Sequence, residues 1–169
     1  MDTQINALLM KACKDIFMEI GFSNIVIEQG QKAVKEADRH KAAQNVGKND
    51  ILALIGLVGT LKGQLILAFP PTISDSFVSQ LVSHLGMDAE QSHQFNKEAI
   101  AELSNQIGGA FVNLLSQKGV DCMITPPIIL SGSGVQAMLP ESDKDYCFDV
   151  SGDFGYFTCI FAIKNSKLI

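Results

Sequence analysis

The sequence predicts an α+β domain: two long amphipathic helices packed on a sheet of about six strands, arranged as two similar halves. Three observations lead there. Apolar residues make up 47% of the 169 and charged residues only 18%, the balance of a chain that buries a core. Helical periodicity occurs twice over long stretches, and each time strand-like runs follow. "VGTLKGQLILAF" at 58–69 is echoed by "VSGDFGYFTCIF" at 150–161, with Gly63 and Gly155 lying 92 residues apart.

In chain order, residues 3–21 form the first helix. Ile5, Leu8, Leu9, Ala12, Ile16 and Ile20 share a face, and Gly21 is its stop. "NIVIEQ" is a short strand. Residues 31–50 are polar and fit a helix or a strand with a long loop equally well. "ILALIGLVGTLKGQLILAF", residues 51–69, has the length of a membrane span, but Gly59, Lys62, Gly63 and Gln64 sit at its centre. A lysine at bilayer depth is costly, so the stretch reads as a β-hairpin. A helix follows at about 73–85, closed by Gly86. The second long helix covers about 94–118, with Ile100, Leu103, Ile107, Ala110, Phe111, Leu114 and Leu115 inward. "DCMITPPIIL", "GVQAMLP", "DYCFDVSG" and "GYFTCIFAI" then read as strands. Pro126 and Pro127 inside the first of these demand an edge or a bulge. The whole, residues 1–169, is taken as a single domain.

Composition narrows function. A net charge of −5 argues against nucleic acid and against anionic membranes. The start Met-Asp-Thr-Gln lacks the basic and apolar segments of a secretory signal, which gives a cytoplasmic expectation. Cys13, Cys122, Cys147 and Cys159 have no CxxC spacing and read as small buried hydrophobes in a reducing compartment. His40, His84 and His93 have no metal-like spacing, so no metal site is expected in this chain. Neither a GxGxxG nor a GxxxxGK[ST] loop is present, nor a GxSxG nucleophile turn. "SGSGV" at 131–135 reads as a hairpin turn.

The chemistry concentrates on "EAIAELSNQIGGAF" in the second long helix. Glu98, Glu102, Asn105, Gly108, Gly109 and Asn113 fall on one stripe at helical spacing. Two adjacent glycines inside a helix cost roughly 0.8–1 kcal/mol each against alanine. They leave a bare patch beside the amide where another chain segment approaches. Glu-x-x-Asn alone is unspecific: a Glu and an Asn on an outer helix face are most often only solvated, and Gly-Gly also serves close packing of a neighbouring helix in the same molecule. The 92-residue offset sets Met10 and Cys13 opposite Glu102 and Asn105, so only one half carries a carboxylate and an amide.

That segment resembles the Glu-x-x-Asn-x-x-Gly/Ala-Gly signature of the CheC/CheX/FliY phosphatases of bacterial chemotaxis. "CMITPPIILSGSG" is similar to the strand and loop that follow this helix in CheX proteins, and "IGLVGTLKGQLILAF" to their central hairpin. Order and spacing agree over roughly residues 51–135. A single motif, absent from the first helix, resembles CheX rather than CheC. The resemblance implies a CheC-like fold and hydrolysis of the aspartyl phosphate of a CheY-like response regulator. It implies that Asn105 orients the attacking water and that Glu102 anchors the receiver through its lysine. Glu98, Gly108 and Gly109 would form the partner-binding surface. Mg²⁺ would sit in the receiver and not in this chain, and the protein would be a homodimer joined through sheet edges. The alternatives are a non-catalytic module that binds a receiver or a flagellar switch partner, and a domain of this fold with an unrelated ligand.

Overall fold

The computed structural model describes residues 2–29, 51–70, 73, 75–86, 92–132 and 142–164. The expectations for 31–50, for "GVQAMLP" and for most of "SGSGV" lie outside the described residues. Helix α1 spans Asp2–Ile20, α2 Asp75–His84 and α3 Ser92–Ser116. The strands are β1 (Val26–Gln29), β2 (Ile51–Gly59), β3 (Lys62–Phe69), β4 (Cys122–Ile124), β5 (Ile128–Ser131), β6 (Lys144–Gly152) and β7 (Gly155–Lys164). No helix among the described residues is long and apolar enough to cross a membrane.

Both long helices stop in the same way. Gly21 and Gly119 take positive φ values of 100° and 77°, which a residue with a Cβ resists. Gly21 N–H donates to Met18 O and Phe22 N–H to Phe17 O; Gly119 N–H donates to Ser116 O and Val120 N–H to Leu115 O. This paired pattern is the Schellman stop, and it turns the chain back toward the sheet.

All seven strands pair antiparallel in the order β1-β6-β7-β3-β2-β4, with β5 also on the outer edge of β2. The two hairpins, β2–β3 and β6–β7, meet at the centre. There Leu67 lies opposite Cys159, its own counterpart at the 92-residue offset, as expected where a pseudo-twofold axis crosses the sheet. Among the described residues the sheet has seven strands, against an expectation of about six, and "DCMITPPIIL" divides into β4 and β5.

Side chains alternate across the strands. Ala53, Ile55 and Leu57 of β2, Leu65, Leu67 and Phe69 of β3, and Phe157, Cys159 and Phe161 of β7 join the buried faces of the helices in one core. Phe17, Phe22, Phe69, Phe77, Phe154 and Phe157 form a cluster with neighbouring ring centroids 4.8–6.3 Å apart. Leu52, Ile66, Ala68 and Ile160 form a second buried group on the opposite face. Cys13, Cys122 and Cys159 are buried, Cys147 is half-buried, and all four are free thiols. Burial, helped by the charge of Asp149, pushes the Cys147 thiol up to about 11, so it stays protonated at neutral pH.

Candidate functional site

Two expected features of the second half lie side by side. The helix stripe and the proline pair form opposite walls of a surface groove of about 730 Å³. Glu98, Ala101, Glu102 and Asn105 of α3 make one wall. Ile124, Thr125, Pro126 and Pro127 make the other, and Leu85 after α2 also lines the groove.

The α3 wall is set by helical spacing. Ile100, Leu103, Ile107 and Phe111 are buried against the sheet and neighbouring helices. That fixes the helix rotation and turns residues 98, 102 and 105 toward the groove. Asn105 and Glu98 are exposed and Glu102 is half-buried. Glu102 Oε1 accepts a 3.3 Å hydrogen bond from Gln106 Nε2, one turn on. Buried Ser104 is satisfied locally, its Oγ donating to Ile100 O at 2.6 Å.

The opposite wall is a β-bulge. Ile124 pairs with Leu57, and Thr125 N–H donates to Gly56 O at 2.9 Å. Pairing resumes at Ile128 with Leu54. Pro126 and Pro127 together therefore stand opposite the single residue Ile55, two against one. Prolines have no N–H to contribute, so the ladder loses least at this point of an outer strand. Thr125 Oγ1 also accepts from Gly56 N–H at 2.9 Å and sits over that glycine, where a Cβ would come within 3.0–3.1 Å of its side chain.

The two helical glycines separate. Gly108 is buried, and a Cβ there would meet Ile55 and Ile124 at 3.4 Å. It faces the sheet and lets α3 lie close on β2 and β4. The expected partner-facing role of Gly108 is thus corrected to packing. Gly109 is exposed, with nothing within 4 Å of its missing Cβ. It is the bare patch that the sequence suggested.

The echo between halves also needs a correction. Cys13 is buried, so it cannot correspond to exposed Asn105. The equivalent helix stops, Gly21 and Gly119, are 98 residues apart, because the connections between helix and hairpin differ in length. At that offset Gln4, Ala7, Met10 and Lys11 stand where α3 has Glu102, Asn105, Gly108 and Gly109. The conclusion that one half alone carries the carboxylate–amide pair is unchanged.

Thr125 and Leu85 were not legible as groove residues. Pro126 and Pro127 were legible as a bulge but not as a wall, since their position beside Asn105 depends on which edge of the sheet β4 joins. Among the described residues, the groove walls carry two carboxylates and no cation. Among the described residues, no cluster of His, Cys, Asp or Glu could hold a metal ion.

A family model described as chemotaxis phosphatase CheX matches residues 51–151, which include β2, α3 and the bulge. The CheY-P phosphatase CheX of Thermotoga maritima is 31% identical over 84 residues; the match spans 50% of this chain and 53% of that protein. A CheC-like superfamily protein from Shewanella sp. PV-4 superposes with a TM-score of 0.72 at 19% identity, covering 98% of this chain and 100% of its own. A chain of the CheX–CheY–BeF3–Mg²⁺ complex from Borrelia burgdorferi superposes with a TM-score of 0.67 at 20% identity, covering 94% and 97%. At these identities the structural likeness speaks for the fold, and the family match extends over more than half of the sequence. The chain belongs to the CheX family of chemotaxis phosphatases.

Proposed function

We propose that the protein hydrolyses the aspartyl phosphate of a CheY-like response regulator, with the α3 groove as its site. The observation that carries this reading is the placing of Asn105 and Glu102 on one wall of the groove, the amide exposed and the carboxylate half-buried and held by Gln106. The family match and the CheX–CheY complex of Borrelia burgdorferi support the choice of partner.

An acyl phosphate is labile, and its hydrolysis needs position and charge stabilisation more than new covalent chemistry. Asn105 reaches into the receiver's acidic pocket. Its amide both donates and accepts, so it holds a water in line with the phosphorus. Attack forms the new P–O bond as the bond to the aspartyl carboxylate breaks, which leaves inorganic phosphate. Glu102 holds the receiver's lysine, and the exposed Glu98 adds negative charge beside it. Gly109 leaves room for a receiver loop. Mg²⁺ belongs to the receiver's pocket, where it supplies charge neutralisation for the transferred group. The protein would act in the cytoplasm. Self-association through a sheet edge, with β1 at one end and β4–β5 at the other, completes the proposal; sedimentation would then give about twice the 18.3 kDa chain mass.

The test is phosphate release from receivers of the same cell, phosphorylated with a small-molecule donor in Mg²⁺. Wild type accelerates release from one of them, and Asn105→Ala does not although its circular dichroism is unchanged. Tight binding of a phosphorylated receiver without acceleration would replace this reading with that of a non-catalytic binding module.

A further inference from the structure

We infer that the Thr125–Pro127 bulge is a second docking wall, which receives an apolar side chain of the receiver next to the cation held by Glu102, and that Thr125 is the residue that positions it. This deepens the phosphatase reading and rests on it.

The groove is chemically two-sided. Glu98, Glu102 and Asn105 make its polar wall, whereas Ile124, Pro126 and Pro127 face them with carbon. A segment that fits presents a positive side chain to the carboxylates and an apolar one to the prolines. The two carboxylates of the lining, Glu98 and Glu102, set the sign of that partner by charge complementarity.

The apolar wall is fixed before any partner arrives. Two consecutive prolines restrict the backbone dihedrals of the bulge. Thr125 ties the bulge to β2 twice, through its own N–H to Gly56 O and through Oγ1 accepting from Gly56 N–H, both at 2.9 Å. The Thr125 hydroxyl further donates to Pro126 O at 3.3 Å. Gly56 is the seat of this clamp, since a Cβ there would lie 3.0–3.1 Å from the Thr125 side chain, which would have to shift. A wall held in this way loses little conformational freedom when a partner binds, which favours affinity. Protection of a free sheet edge would account for prolines in the strand. It would not account for a threonine clamp that holds them over a groove shared with Glu102 and Asn105.

The experiment is steady-state phosphate release from a receiver kept phosphorylated by acetyl phosphate in Mg²⁺, at varied receiver concentration. Thr125→Val removes the clamp oxygen at nearly constant shape, and Thr125→Ser keeps it. Thr125→Val is expected to raise KM about fivefold with kcat within about twofold of wild type, as for loss of the hydroxyl's hydrogen bonds to Gly56 N–H and Pro126 O. Thr125→Ser stays near wild type. Pro126 is exposed, so Pro126→Lys folds normally, and it raises KM about tenfold by placing a charge against the apolar side chain and repelling the cation. An unchanged KM in Pro126→Lys and Thr125→Val, with wild type active, would leave the bulge as edge protection only and overturn this inference while the phosphatase reading stands. No acceleration by wild type would overturn both.

Discussion

The two halves of the molecule repeat one another in topology and differ in what they do with one helix. α1 and α3 both end in a Schellman stop and then enter a short strand on an outer position of the sheet. On the α1 side, the described strand β1 pairs with β6 over Val26–Gln29. On the α3 side, β4 pairs with the equivalent stretch of β2 and is followed by the proline bulge and β5. Where α3 has Gly108, α1 has the half-buried Met10. The glycine lets α3 lie on β2 and β4, whereas α1 makes its close backbone contacts chiefly with α3. Where α3 has the bare Gly109, α1 has Lys11, whose Nζ lies 2.6 Å from Asp15 in an exposed ion pair of little energetic weight. The lesson is that two local features shape the groove: a missing side chain under α3, where α1 has Met10, and an extra residue in the strand beside it.

The difference can be broken by copying the first half into the second. Asn105→Ala, the residue of position 7, gives the largest effect: kcat falls about 100-fold, as when a group that orients the reaction is removed, with stability unchanged because Asn105 is exposed. Gly108→Met copies position 10 and forces a long side chain between α3 and Ile55 and Ile124. It costs about 1–3 kcal/mol in urea unfolding, the usual range for overpacking, and activity drops because the groove walls separate. Glu102→Gln copies position 4 and keeps the shape while removing the charge. KM rises about tenfold and loses much of its salt dependence, since screening acts on the lost attraction. Gly109→Lys copies position 11 and has the smallest effect of the four on phosphate release. It stabilises the helix by up to about 1 kcal/mol, because lysine is a better helix former and the space is open, yet it weakens receiver binding.

Much of this architecture was legible in the sequence because each level agreed with the next. The 3.6-residue pattern placed α1 and α3, Gly21 marked the end of the first, and strand-like runs placed the hairpins. The proline pair announced the bulge. Three things were not legible. Gly108 and Gly109 are neighbours in sequence but point about 100° apart on the helix, so only packing shows that one faces the sheet and the other solvent. The strand repeat and the helix repeat have different offsets, which a single alignment of halves conceals. Thr125 has no pattern of its own. Its importance comes from Gly56, 69 residues away, which only the sheet register brings beneath it.

The most direct measurement of the central claim is amide hydrogen exchange of the protein alone and with a receiver loaded with beryllofluoride and Mg²⁺. The account predicts added protection in α3 around residues 98–109 and in the 124–128 segment. It predicts none in α1, whose residues 4–11 hold the equivalent place in the other half. Protection of α1 with α3 unchanged would contradict it, because the receiver would then dock away from the carboxylate–amide pair and from the Thr125–Pro127 bulge.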